Sequence, residues 1–131
     1  MISDDELIAQ AKDARRWAHA PYSNFSVGAA LLSSDGRVFT GCNVENSTYG
    51  LSMCAERNAI FAAVAAGSPR PFTALAVSCL DADGACTPCG ACRQVMFEHL
   101  AADAAVYVDG AGQFTPPELL PRAFTLEAAE S

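Results

Sequence analysis

Positive charge is scarce in this chain of 131 residues: eight Lys and Arg stand against 15 Asp and Glu, a formal net charge of −7. A protein that holds a phosphate backbone does so by counterion release to clustered cations, so the balance argues against a nucleic-acid partner. Also missing is any window near the ~18 uninterrupted apolar residues of a membrane span, which argues against a membrane role. The first residues, Met1-Ile2-Ser3-Asp4-Asp5-Glu6, carry acids where a secretory signal would carry cations, and no apolar stretch follows them. The expected location is the cytoplasm. No internal repeat or low-complexity tract is present. With 51% apolar and 18% charged residues, one domain over 1–131 can bury roughly two-thirds of its extended surface without covalent staples. Residues 125–131 are expected to be loosely ordered.

What the chain does have is a legible order of elements. Ser3-Asp4-Asp5-Glu6 is a capping box, and Leu7, Ala11, Ala14 and Ala18 follow at helical spacing until Pro21, which predicts a helix over 4–19. Val27 to Leu32, a Ser34-Asp35-Gly36 turn and the alternating Arg37 to Cys42 predict a β-hairpin. A long polar loop, Asn43 to Met53, leads to a helix from Cys54 to Ala66 that ends at Gly67. From Ala59 onward that helix carries no charge, so it is expected to be buried on every side. A third strand spans Phe72 to Cys79, a loop Asp81 to Pro88, and a helix Cys89 to Leu100 with Cys92, Val95, Met96 and Leu100 on its apolar face. Ala104 to Val108 and Gln113 to Thr115 are further strands, and Pro116 to Pro121 is a turn of helix between prolines. The fold class is α/β: a three-layer α/β/α sandwich with a mixed central sheet of about five strands.

Six cysteines occur: Cys42, Cys54, Cys79, Cys86, Cys89 and Cys92. Three sit at three-residue spacing in a chain with no sign of export, which points to metal or catalysis rather than disulfides. Cys54-Ala55-Glu56 opens one helix and Pro88-Cys89-Gly90-Ala91-Cys92 opens the next. The intervening helix and strand return the chain to the same edge of the sheet, so both helix starts fall side by side. Cys89 and Cys92 share a face of the first turn, and helix N-termini favour ionised sulfur. Three protein ligands leave a fourth position open, as in catalytic rather than structural zinc sites. Glu56, two residues from a ligand, is placed to act as a base beside that position. A closed zinc knuckle, a free thiol pair and a non-catalytic iron–sulfur module are the competing readings. Cys86 extends the row to C-x-x-C-x-x-C, but no fourth cysteine and proline close an iron–sulfur run.

C-A-E at 54–56 with P-C-G-A-C at 88–92 is similar to the signature of the zinc-dependent nucleoside and base deaminases. The likeness continues through the blocks Pro21 to Leu31, Gly41 to Gly50, Cys54 to Arg57, Pro88 to Val95 and Leu119 to Phe124, which resemble the small homotetrameric cytidine deaminases over about residues 1–124. The resemblance implies one Zn²⁺ per chain on Cys54, Cys89 and Cys92, with zinc lowering the pKa of water. Glu56 would carry protons to the pyrimidine N3 and to the departing amino group. It further implies that Phe25 packs on the pyrimidine, that Asn43 and Glu45 hold ribose hydroxyls, and that Ala55, Tyr49 and Phe124 also meet the substrate. Phe124 would reach it from a neighbouring subunit, with Tyr49 at the same seam. Arg57 matches an arginine that hydrogen-bonds the thiolates, an ordinary surface ion pair being the alternative.

The expected reaction is deamination of cytidine and 2′-deoxycytidine in pyrimidine salvage. Another aminopyrimidine nucleoside such as blasticidin S is the runner-up, and the Asn43-Val44-Glu45-Asn46 block favours plain cytidine. Without the resemblance, Phe25 reads equally as core and that block as a solvated loop. Cys42 and Cys79 read as small buried hydrophobes, His99 as a satisfied core residue and Trp17 as packing, while His19 carries no signal.

Overall fold

The computed structural model describes residues 2–79 and 86–128. Helix α1 (Asp4–Ala14) is followed by strands β1 (Val27–Leu32) and β2 (Val38–Cys42), helix α2 (Ala55–Ala65), strand β3 (Phe72–Cys79), helix α3 (Gly90–His99), strands β4 (Leu100–Val108) and β5 (Gly112–Phe114), and a last turn of helix, α4 (Pro116–Leu119). The five strands form one sheet in the order β2-β1-β3-β4-β5. The β3/β4 pair is parallel and the other three pairs are antiparallel, so the sheet is mixed as the sequence implies.

Period-two alternation divides the core between the two faces of the sheet. Ala29, Leu31, Leu75 and Val77 point to the side covered by Ala55, Ala59, Ile60 and Ala63 of α2 and by Cys92 and Met96 of α3. Their neighbours Ala30, Leu32, Ala74 and Ala76 point to the side covered by Leu7 and Ala11 of α1. Two glycines set how closely the helices lie. A Cβ on Gly28 would stand 2.0 Å from the Ala11 carbonyl oxygen of α1, and one on Gly41 would stand 2.5 Å from both the Ala55 oxygen and the Ala59 nitrogen of α2.

Several expectations need correction. The first helix ends at Ala14 and tightens into a 3₁₀ turn over Arg15–Trp17. Ala18 then turns extended, and the His19 N–H bonds the Asn43 carbonyl at 3.0 Å, which diverts the chain before Pro21. Strand β4 begins at Leu100, four residues ahead of the expected Ala104. The chargeless helix is not buried on every side in one chain: Ala59, Ile60 and Ala63 are buried, whereas Phe61 is 41% exposed and Ala62, Val64 and Ala65 also face outward. A helix lying on a sheet can cover only one stripe. Positions 81–85 of the expected Asp81–Pro88 loop and 129–131 of the C-terminal segment lie outside the described residues.

Candidate active site

The register pairs Gly28 with Cys42 and Val27 with Cys79, so the start of β1 and the ends of β2 and β3 share one end of the sheet. Helices α2 and α3 both begin over that end. This differs from a meeting along one sheet edge: β2 is the edge strand and β3 the central one, yet the helix starts still converge. Cys54 and Cys89 occupy the N-cap positions of α2 and α3, and neither side chain satisfies a helix amide. Their sulfurs are left to face each other.

The Sγ atoms of Cys54, Cys89 and Cys92 all lie within 4.8 Å of one another. Cys54 and Cys89 are 3.8 Å apart and Cys89 and Cys92 3.4 Å. Tetrahedral zinc with Zn–S bonds of about 2.3 Å separates its sulfurs by about 3.8 Å. The sulfurs therefore stand close to the spacing the ion requires, and no fourth protein ligand joins them among the described residues. The charge balance points the same way. Hydrogen bonds from the Cys92 thiol, the Arg57 guanidinium and Cys89 lower the Cys54 pKa to about 5, while the bond to Cys54 and burial hold Cys92 far above the ordinary thiol range. Three adjacent thiols cannot all ionise beside one guanidinium; a divalent cation lets them.

Glu56 is 5% exposed, and that burial pushes its carboxyl up to about 7. A buried acid with a pKa near neutrality can both take and return a proton. Arg57 donates from Nη2 to Cys54 Sγ at 3.3 Å, so it is tied to the thiolate rather than to a surface acid. Among the described residues its buried Nε has no hydrogen-bond partner.

A cavity of about 410 Å³ opens beside the cluster and brings together Phe25, Asn43, Glu45, Cys54, Ala55, Glu56 and Cys89. Cys92 lies buried behind this wall. Sequence reasoning missed Val27, Ser52, Met53, Cys86 and Thr87, which also line the cavity. Val27 and Met53 flank residues already singled out, whereas Ser52 and Thr87 carry no local signal. Cys86 stands outside the three-sulfur cluster; it packs against the core, and burial pushes its thiol up to about 12. Cys42 is similarly raised by burial. His99 is half-buried, with Nδ1 3.3 Å from Arg70, and Trp17 stacks under Arg16 on the surface rather than in the core.

Tyr49 and Phe124 stand outside the cavity of their own chain. Tyr49 is 75% exposed and meets Tyr22 edge-on at 6.3 Å; Phe124 is 69% exposed, held through its carbonyl by Gln94 Nε2 at 2.7 Å.

A sequence profile described as "Cytidine and deoxycytidylate deaminase zinc-binding region" matches residues 1–108. The cytidine deaminase of Sporosarcina psychrophila is 48% identical over 127 residues, covering 94% of this chain and 92% of that protein. That of Halalkalibacterium halodurans is 50% identical over 125 residues, with 92% and 93% covered. The crystal structure of cytidine deaminase from Burkholderia pseudomallei matches with a TM-score of 0.87 at 50% identity, covering 94% of this chain and all (100%) of that one.

Proposed function

This chain belongs to the family of zinc-binding cytidine deaminases, and on that premise we propose that it hydrolyses cytidine and 2′-deoxycytidine to uridine and 2′-deoxyuridine with release of ammonia. The observation that carries the reading is the convergence of three cysteine sulfurs with a buried glutamate at the wall of a nucleoside-sized cavity.

Cys54, Cys89 and Cys92 would hold the zinc ion, which would supply Lewis-acid activation of water. Everything else falls to the chain's own side chains. Glu56 takes a proton from water and delivers it to the ring N3. The water oxygen bonds to C4 as N3 gains that proton; Glu56 then moves the proton of the new C4 hydroxyl to the amino nitrogen, the C4–N bond breaks to release ammonia, and the C4 carbonyl of uridine remains. The burial of Glu56 keeps bulk water from competing for those protons. The Phe25 ring lies against the pyrimidine, and Ala55 stands between Cys54 and Glu56 on the cavity wall. Asn43 and Glu45 address the sugar. Asn43 spends Oδ1 on the Val27 N–H and one Nδ2 hydrogen on the Phe25 carbonyl, which leaves a lone pair and an N–H for a hydroxyl. The Glu45 carboxylate would repel a phosphate on the same hydroxyl, selecting a free nucleoside.

The exposed stripe of α2 supports a homotetramer in which these helices meet, because Phe61, Ala62, Val64 and Ala65 form an apolar face that a symmetric partner can cover. In that assembly the exposed Phe124 closes over a neighbour's cavity and Tyr49 lies at the seam. The role is pyrimidine salvage in the cytoplasm, a reducing setting that suits a thiolate metal site. An ultraviolet assay across cytidine, 2′-deoxycytidine, cytosine, cytidine 5′-monophosphate and blasticidin S tests the specificity. Turnover of the two nucleosides is expected; a preference for the nucleotide, the free base or blasticidin S would overturn it.

A further inference from the structure

The sugar end of the cavity is built on a network centred on Ser23. Glu45 Oε1 accepts the backbone N–H groups of Tyr22 and Ser23, each at 3.1 Å, and Oε2 accepts the Ser23 hydroxyl. That hydroxyl in turn accepts the Phe25 N–H at 3.0 Å. One side chain therefore joins the carboxylate proposed to read the sugar to the backbone of the aromatic proposed to cover the base. The chain can turn this tightly because Asn24 adopts the left-handed region at φ 58°, which Asn tolerates better than most residues. Asn43 closes the other side of the turn, donating to the Phe25 carbonyl at 2.7 Å and accepting the Val27 N–H at 2.8 Å.

An ionised carboxylate has about four acceptor positions. Tyr22 and Ser23 fill three on Glu45, which leaves one, on Oε2, for a hydroxyl of the substrate. The Glu45 main chain is itself fixed by a 2.8 Å bond from its N–H to the His19 carbonyl and by the bridge of Val44 to Met53. What remains free in Glu45 is side-chain rotation, and the three donors remove it. The Ser23 hydroxyl is also the main reason the Glu45 carboxyl lies below its usual range.

We propose that Ser23 is a positioning residue for sugar recognition, its hydroxyl holding the Glu45 carboxylate where it meets a hydroxyl of the nucleoside sugar. The proposal rests on the reading of Glu45 as the sugar-binding carboxylate.

The test is steady-state kinetics with cytidine and with 2′,3′-dideoxycytidine, which lacks both secondary hydroxyls, measured as KM or, where turnover is too slow, as an inhibition constant. Wild type, Ser23→Ala, Ser23→Thr, Glu45→Ala and the Ser23→Ala/Glu45→Ala double variant are compared at equal zinc content. Ser23→Ala is expected to raise the cytidine KM about tenfold, the order of one charge-assisted hydrogen bond, with kcat within about threefold. The dideoxy ligand should move less than about threefold, Ser23→Thr should restore cytidine binding, and Ser23→Ala should add less than about twofold in the Glu45→Ala background. Equal losses for both ligands, additive losses in the double variant, or failure of Thr to rescue would reduce Ser23 to a loop residue and overturn the proposal. If Glu45→Ala raises the cytidine KM and Ser23→Ala does not, the role of Ser23 alone falls. If Glu45→Ala leaves the cytidine KM unchanged, the sugar-binding reading falls and takes the route through Ser23 with it.

Discussion

Nη2 of Arg57 stands 3.3 Å from Sγ of Cys54 and donates to it, three residues after the cysteine that caps α2. The guanidinium thereby returns positive charge to a cluster of three sulfurs whose combined ionisation would leave even a bound divalent ion over-neutralised. Arg57→Ala is expected to weaken zinc binding by about 10- to 100-fold, the usual cost of removing a partner that supports a metal ligand. Competition with a chromophoric chelator measures it, and unchanged affinity would place Arg57 outside the metal site.

The three sulfurs of the cluster are separable from the other cysteines. Cys54→Ala, Cys89→Ala and Cys92→Ala are each expected to lose bound zinc, while Cys86→Ala and Cys42→Ala retain one ion per chain. Elemental analysis of the purified variants settles the assignment. Full zinc in Cys89→Ala, or its loss from Cys86→Ala, would contradict the geometry of the cluster.

Gly41 couples the sheet to the catalytic helix. A Cβ there would lie 2.5 Å from the Ala55 oxygen and the Ala59 nitrogen, both backbone atoms that a side-chain adjustment cannot relieve. Gly41→Ala is expected to cost about 1–3 kcal/mol, a Tm fall of about 5–10 °C. Activity should fall further than stability explains, because the start of α2 carries both Cys54 and Glu56. A melting curve and specific activity at a temperature well below the transition check both parts; wild-type values for each would show that α2 has room to shift without consequence.

Much of this architecture was legible in the residues themselves. Phe72–Cys79 and Val27–Leu32 read correctly as strands because their apolar runs are bounded by clear breaks, and the C-A-E and P-C-G-A-C motifs pointed to the three cysteines whose sulfurs converge because thiol spacing on a helix start is a local property. What was not legible depends on contacts distant in sequence. The early end of α1 follows from His19 bonding Asn43, and the longer β4 follows from pairing with β3, with Phe72 opposite Leu100. The role of Ser23 is hidden for the same reason, since its partner Glu45 lies across a hairpin. For Cys86 the motif suggested only a rejected ligand, and the fold makes it part of the cavity wall.

Assembly gives a further outcome. Light scattering of the wild type is expected to give the mass of the proposed tetramer, and Phe61→Glu, placing a charge on the exposed stripe of α2, is expected to lower it. Phe124→Ala should keep the tetramer and its zinc but raise KM several-fold. A wild-type protein fully active at the mass of one chain would contradict both the packing of α2 and the closure by Phe124.

The most direct test of three thiolates and one carboxyl acting together on cytidine is the turnover of Glu56→Gln at full zinc content, followed by the ultraviolet change on conversion of cytidine to uridine. The amide has the shape of the acid but cannot take a proton from water, and general acid–base contributions alone reach about 10²–10⁴-fold. A loss of at least that size is expected, with zinc stoichiometry and melting temperature unchanged. Turnover within about tenfold of wild type would remove Glu56 from the chemistry and contradict the mechanism.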